Sequence, residues 1–278
     1  MKKIFVRLYF FVMFLFMYFP IIVLIGLSFN ASRARTVWGG FTLEWYAELF
    51  QDSVLLTSLF NTLSIALISA AVSTLIAVPA AIGLLAMKRR HASVIQNFGN
   101  IPMLNPDIVT GIILMLLLSS AMKLGYVSIL LAHITFNIPY VLLSVLPSLK
   151  KVNISIFEAA RDLGAGSLYA FIKVVLPEIM PGILSGFFMA ITLSMDDFVV
   201  TYFTRGAGID TLSTLVYGQL KRGIKPEMYA LSSVIFITVL LALVVFNILS
   251  SASERSSYEG SKTDISEDKP SLIKEEGK

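Results

Sequence analysis

Two adjacent carboxylates, Asp196 and Asp197, stand inside an otherwise apolar stretch, Leu193-Ser194-Met195-Asp196-Asp197-Phe198-Val199-Val200. An acid at the centre of a membrane helix costs about 2.5–3.5 kcal/mol on insertion scales, so one that is retained faces a wet cavity or a cationic partner. Successive helical residues point roughly 100° apart. One aspartate is therefore free to line a pathway while the other pairs with a neighbouring helix, with another subunit or with Arg205. Two carboxylates in a water-poor vestibule attract cations and repel anions, which argues against phosphate or sulfate as cargo.

Asp107 admits two readings. In Asn105-Pro106-Asp107 it falls at the second turn-forming position of a helix capped by Asn105, where an acid complements the positive helix end; otherwise it stands near an inner exit of a pathway. His133, flanked by apolar residues, reads as a satisfied buried imidazole or, alternatively, as a substrate contact. Other chemistry drops out. The chain has no cysteine and two histidines, so a thiolate site is excluded and no metal centre is expected. The string Gly218-Gln219-Leu220-Lys221-Arg222-Gly223-Ile224-Lys225 lacks the Lys-Ser/Thr ending of a phosphate-binding loop, so the chain is not expected to bind or hydrolyse ATP itself.

The elements that must hold these residues follow from composition. Of 278 residues, 56% are hydrophobic and 14% charged, a balance that no single water-soluble core of this size could hide. A membrane crossing needs about 20 mostly apolar residues. Six stretches qualify: 8–27, 59–85, 106–124, 127–149, 179–203 and 228–249. The first is longer than the roughly 7–15-residue apolar core of a secretory signal and lacks a small-x-small cleavage site, so it counts as a helix. Lys and Arg concentrate in the segments that are inner if the N-terminus is inside, notably Lys2, Lys3, Arg7, Lys88, Arg89, Arg90, Lys150 and Lys151; both termini are therefore expected in the cytoplasm. The net charge of +4 reflects these topology signals, and no nucleic-acid partner is expected. The expected class is an all-α integral membrane protein of six helices, with one transmembrane domain over 1–250 and a disordered cytoplasmic tail over 251–278.

Gly182 and Gly186 form a G-x-x-x-G that predicts close helix contact. Pro79 and Pro139 are candidate bend points in the second and fourth spans. Trp38, Trp45 and Tyr46, in the outer loop 28–58, read equally as interface anchors or as contacts for an external protein.

The inner loop 153–178 is the most informative. Ser155 with Glu158 has the spacing of a capping box, and Gly164 suits the left-handed residue that closes a helix. Ser167 then reads as a second N-cap, with Pro177 and Pro181 marking the start of the fifth span. The product is a short cytoplasmic helix-turn-helix whose Ala159 and Ala160 are small enough for another surface to come close.

Glu158-Ala159-Ala160, Gly164 and Val174-Val175-Leu176-Pro177 resemble the EAA signature of binding-protein-dependent ABC importers, with Val174 in place of the usual isoleucine. In that family this segment couples the membrane subunit to the ATPase. The residues Thr192 to Val200, Asn105 to Val109, Ala132 to Phe136 and Gly40 to Tyr46 are further similar to the second permease of spermidine/putrescine importers, the PotC type, with likeness from about Phe19 to Phe246. The resemblance implies a type I importer permease (MetI-like) in a bacterial cell membrane. It further implies ATPase coupling through Glu158, Ala159, Ala160, Gly164, Leu176 and Pro177, and a cation pathway lined by Asp196, Asp197 and Asp107. Implied partners are a sister permease, a cytoplasmic ATPase dimer that binds the ATP, and an extracytoplasmic substrate-binding protein. Other readings stand beside it: a permease for another small organic cation, an intramembrane aspartyl hydrolase, and an ATP-independent carrier.

Overall fold

The computed structural model describes residues 2–34 and 36–241, and it divides into two units, Met1–Gln51 with Lys225–Lys278, and Asp52–Ile224. Among the described residues the chain is helical, apart from one isolated antiparallel bridge between Asn30 and Phe41.

In the larger unit the core is made by three long helices: α3 (Ser53–Ala86), α7 (Tyr126–Lys151) and α10 (Leu176–Asp196). Helix α3 starts where the Asp52 carboxylate accepts the free N–H groups of Val54 and Leu55. It turns a seam of small residues inward, Ala66, Ala70, Ser73, Ala77 and Ala81, at three- and four-residue spacing. Such a seam lets helix backbones approach where lipid offers no hydrophobic drive for association. On α10, Gly182 and Gly186 do the same against α7. A Cβ on Gly182 would fall 2.7 Å from Ser148 Cβ, and one on Gly186 would fall 3.0 Å from Val141 Cγ1. Helices α3 and α7 run unbroken through Pro79 and Pro139.

The remaining elements of this unit are shorter: α4 (Arg89–Gly99), α5 (Ile101–Leu104), α6 (Asp107–Ala121), α8 (Ile154–Asp162), α9 (Ser167–Ala170), α11 (Val199–Thr204) and α12 (Leu212–Arg222). One π-helical turn, Phe171–Val175, joins α9 to α10, so a single helix runs from Ser167 to Asp196. Hydropathy had no means of showing that turn, nor α4, α5 and α12 in segments expected to be loops. The third expected span is a helix of 15 residues, and the fifth does not continue to Phe203 but breaks at Asp197.

In the smaller unit, α1 (Lys2–Ser28) exposes nearly its whole apolar surface, Phe16 by 84%. That surface suits lipid or a partner helix rather than water. Beyond it, Asn30 organises the loop: its side-chain oxygen accepts from the N–H of Ser32 and Gly39, and its amide donates to the Val37 carbonyl. On α2 (Glu44–Leu49), Trp45 is buried, with its indole N–H donating to the Asn30 carbonyl at 2.7 Å. The Tyr46 hydroxyl meets Ser28 at 2.7 Å. Trp45 is thus committed within the loop rather than offered outward, whereas Trp38 is exposed. Helix α13 (Pro226–Leu241) opens the sixth expected span; the rest of that span and the expected tail lie outside the described residues.

Among the described residues, four helices are long and apolar enough to cross a membrane: Ile4–Ser28, Ser53–Ala86, Tyr126–Lys151 and Ser167–Asp196. Asp107–Ala121 and Pro226–Leu241 are shorter.

Candidate functional site

The break between α10 and α11 builds the site. At Asp197 the backbone leaves the helix (φ −63°, ψ 122°), and two residues later α11 begins. A helix that starts on buried residues, as α11 does with Val200 and Thr201, must satisfy its first N–H groups locally, because water does not reach them. Asp197 does this: its carboxylate accepts from the N–H of Val200 at 3.2 Å, and from the N–H and hydroxyl of Thr201, both at 2.8 Å. The Ser213 hydroxyl donates to the Asp197 carbonyl at 2.7 Å.

Behind Asp197 lies His133, 1% exposed, from α7. Its Nε2 is 2.9 Å from Thr201 Oγ1 and 3.5 Å from Asp197 Oδ2, and its Nδ1 is 2.5 Å from Ser194 Oγ. Because Thr201 donates its hydroxyl proton to Asp197, the imidazole must be the donor to Thr201 through Nε2–H. Nδ1 faces the Ser194 hydroxyl. The chain continues through Ser69 on α3, 3.3 Å from Ser194, to the amide of Asn137, 3.3 Å from Ser69. Four helices, α3, α7, α10 and α11, are tied by one buried polar network. His133 is therefore a satisfied imidazole, the first of its two expected readings.

Asp196 behaves differently. It is exposed, with no hydrogen-bond or ion-pair partner among the described residues. It opens into a cavity of about 310 Å³ lined also by Asp107, Thr110, Phe136, Tyr140, Thr192, Asp197 and Phe198. All three predicted pathway acids meet at this one cavity. Asp107 is there because α6 begins level with the break. Gly111, one turn into α6, packs so closely on α11 that a Cβ would lie 3.0 Å from the Phe203 ring and 3.4 Å from the Val199 carbonyl. Asp107 is the first residue of α6, with Pro106 rather than Asn105 at the capping position and Asn105 closing α5. No Lys or Arg lines the cavity. Arg205, considered as a partner for the acid pair, binds Asp210 instead. The arrangement presents carboxylates and aromatic faces, the groups that suit an alkylammonium ion. The aromatic partners Phe136, Tyr140 and Phe198 escaped sequence reasoning; their spacing from His133 and Asp197 by three, seven and one residues was the available signal.

The predicted coupling residues lie apart from the cavity lining. Helix α8 is capped by Asn153, whose side chain accepts from the Ser155 N–H, so the expected Ser155 cap is displaced by two residues. Gly164 closes α8 with φ +92°, as expected, and its N–H reaches the Arg161 carbonyl. Ser167 opens α9 but does not cap it; Gly166 holds that position. Glu158 and Ala159 are exposed, Ala160 is half-buried, and α8 buries no residue. Leu176 and Pro177 form the first turn of α10.

Comparison with known proteins adds three findings. Residues 73–256 match the family described as "Binding-protein-dependent transport system inner membrane component". The spermidine/putrescine transport system permease protein PotC of Escherichia coli K12 is 34% identical over 251 residues, covering 90% of this chain and 94% of that protein. The putrescine transport system permease protein PotI of the same strain is 37% identical over 232 residues, covering 80% and 82%. Among solved structures, a bacterial ABC transporter that imports the acidic polysaccharide alginate has a chain of the same fold (TM-score 0.64, 17% identity, 90% of this chain and 95% of that one). The MetNI methionine transporter gives TM-score 0.54 at 17% identity, covering 74% and 95%.

Proposed function

Because the chain belongs to the binding-protein-dependent transport-system inner membrane components, and is thus a multi-pass permease subunit of an ABC importer in a bacterial inner membrane, we propose that its cargo is a polyamine, spermidine or putrescine, met in the membrane by Asp196 and Asp107. The observation that carries this is the convergence of Asp107, Asp196 and Asp197 with Phe136, Tyr140 and Phe198 on one cavity free of basic residues. The names of the PotC and PotI relatives support the same cargo.

The division of labour between the adjacent acids follows from their surroundings. Asp197 is fixed by His133 and Thr201 and shapes the break; Asp196, unpartnered, meets the cation as it leaves the binding protein. Attraction from one or two carboxylates holds a cation long enough to enter but not so tightly that it stays. In this reading the chain makes half of the pathway with a sister permease and six spans, both termini lying inside. ATP is bound by a separate ATPase dimer, and the α8 hairpin, with Glu158, Ala159, Ala160, Gly164, Leu176 and Pro177, receives its closure. The spans then rock between inward- and outward-open states.

Reconstitution with sister permease, ATPase and binding protein tests this, by ATP-dependent uptake of labelled spermidine and putrescine. Asp196→Asn is expected to lower uptake at least tenfold, since a charge-assisted contact is worth about 1.5–3 kcal/mol. Unchanged uptake in both Asp196→Asn and Asp197→Asn would remove these acids from the pathway.

A further inference from the structure

A second cavity, of about 490 Å³, lies at the end of the bundle where α3 finishes and α7 runs into α8. Its wall is chemically two-sided. Arg89 and Lys150 bring positive charge from two different helices, with Ser93 and Gln96 as hydrogen-bonding groups, while Leu84, Leu85, Met87, Ala92 and Leu146 supply apolar surface. No acidic residue lines it. Lys88, Arg90 and Lys151 stand next to the two lining cations in sequence, and none of the five has a carboxylate partner among the described residues.

Helix α4 explains the shape. Arg89, Ala92, Ser93 and Gln96, spaced three, four and seven residues apart, form its cavity face. Val94 and Ile95, on another face, are 50% and 48% exposed. A helix that offers basic and polar groups on one side and bare aliphatic groups on another suits the boundary between headgroups and acyl chains. A cavity joining two unpaired cations to an aliphatic wall at that boundary fits an amphiphile with an anionic head.

We propose that this cavity binds the phosphate headgroup of an anionic phospholipid, with Arg89 and Lys150 holding the phosphate and Leu84, Leu85 and Leu146 seating the start of the acyl chains. The placement rests on the inner-side assignment of the α8 hairpin in the proposed function, because α7 leads directly from Lys150 into that hairpin. At the cytoplasmic leaflet each basic residue near the surface adds about 1 kcal/mol to the attraction for anionic lipid.

The intact transporter assembly, purified in mild detergent, is offered phosphatidylglycerol or phosphatidylcholine of identical acyl chains, and bound lipid is counted by native mass spectrometry. Phosphatidylglycerol is expected to be retained over phosphatidylcholine, and excess inorganic phosphate is expected not to displace it. Arg89→Gln and Lys150→Gln should each lower retention about fivefold, Lys123→Gln should not, and the charge-preserving pair Arg89→Lys with Lys150→Arg should keep it. Equal retention of both lipids, displacement by free phosphate, or undiminished phosphatidylglycerol in the double Gln variant would each overturn the proposal. So would a Gln96→Cys variant that cross-links to the sister permease while no phosphatidylglycerol is bound. Neither cargo nor ATP enters this measurement, so failure of polyamine uptake leaves its outcome separately readable.

Discussion

The break in the fifth span and the α8 hairpin handle their unsatisfied groups in opposite ways. Around Asp197, backbone N–H groups, a threonine, a serine and a histidine from three helices answer one another inside the chain. Around Glu158 less answers: Phe157 packs against the core, but α8 buries no residue, and Ile154 and Leu163 are 67% and 90% exposed. In a low-dielectric interior an unpaired polar atom costs several kcal/mol, so the first region satisfies most of its groups from within, Asn137 Oδ1 being the member of the network without a partner. Water tolerates the second, which leaves its small and apolar residues available to another subunit.

The largest expected effect breaks the comparison at the hairpin. Gly164 has φ +92°, which proline, held near −65°, cannot adopt. Gly164→Pro should re-aim α8 and abolish ATP-driven uptake, with some loss of thermal midpoint because Phe157 of α8 packs against the core and the Gly164 N–H bond to Arg161 is removed. Glu158→Ala should act in the same direction and less severely. Reconstituted ATPase and uptake assays check both; full coupling in the two variants would remove the hairpin from force transmission.

The next effect sharpens the comparison at the break. His133→Leu deletes two buried hydrogen bonds and leaves Thr201 and Ser194 without a partner on that side, a loss of about 1–3 kcal/mol. Maximal uptake should fall roughly three- to tenfold and the thermal midpoint should drop, whereas the cargo concentration for half-maximal uptake should change little, since His133 does not line the cavity. His133→Gln, which keeps a donor for Thr201, should recover part of the loss. A double-mutant cycle between His133→Leu and Asp197→Asn should show coupling of at least about 0.5 kcal/mol. Glu158→Ala combined with Asp196→Asn, from separate regions, should be additive in uptake. Coupling in the second pair and none in the first would invert the assignment of the two regions.

These same residues show what was legible beforehand. The acid pair could be found because charge in an apolar run is rare and expensive, and the hairpin because Gly164 closes a helix; Glu158 caps nothing in α8, and Pro177 lies inside the helix that runs from Ser167 to Asp196. Hydropathy could not find the break at Asp197: Phe198, Val199 and Val200 continue the apolar pattern, while the break is held by the Asp197 carboxylate on Val200 and Thr201 and by His133 on α7, 64 residues earlier in the chain. Capping was ambiguous for a local reason, since Asn153 and Ser155 are both good caps and only the backbone decides between them. Trp45 is neither the interface anchor nor the external contact its sequence position suggests, because an indole in a polar loop gives no sign of the Asn30 carbonyl that binds it. Cavity aromatics such as Tyr140 were invisible for the opposite reason, being ordinary residues for a membrane helix until the acids were placed beside them.

The smallest expected effect lies in the loop that follows α1, where a third arrangement stands between the two extremes. Glu48 on α2 is half-buried; burial, and then the neighbouring Glu227 carboxyl, raise its pKa above the ordinary 4.5. The folded loop therefore prefers the protonated acid, and the stabilisation is complete below pH 4.5 and lost as pH rises through the raised value. Amide exchange of the backbone around Trp45 and Leu49 should accordingly run faster, after correction for intrinsic rates, above that transition than below it. Glu48→Gln, neutral at every pH, should abolish the step. A step of equal size in the Gln variant would assign the titration to another group, and no step in the wild type would mean that the loop is held by the Asn30 and Trp45 contacts alone.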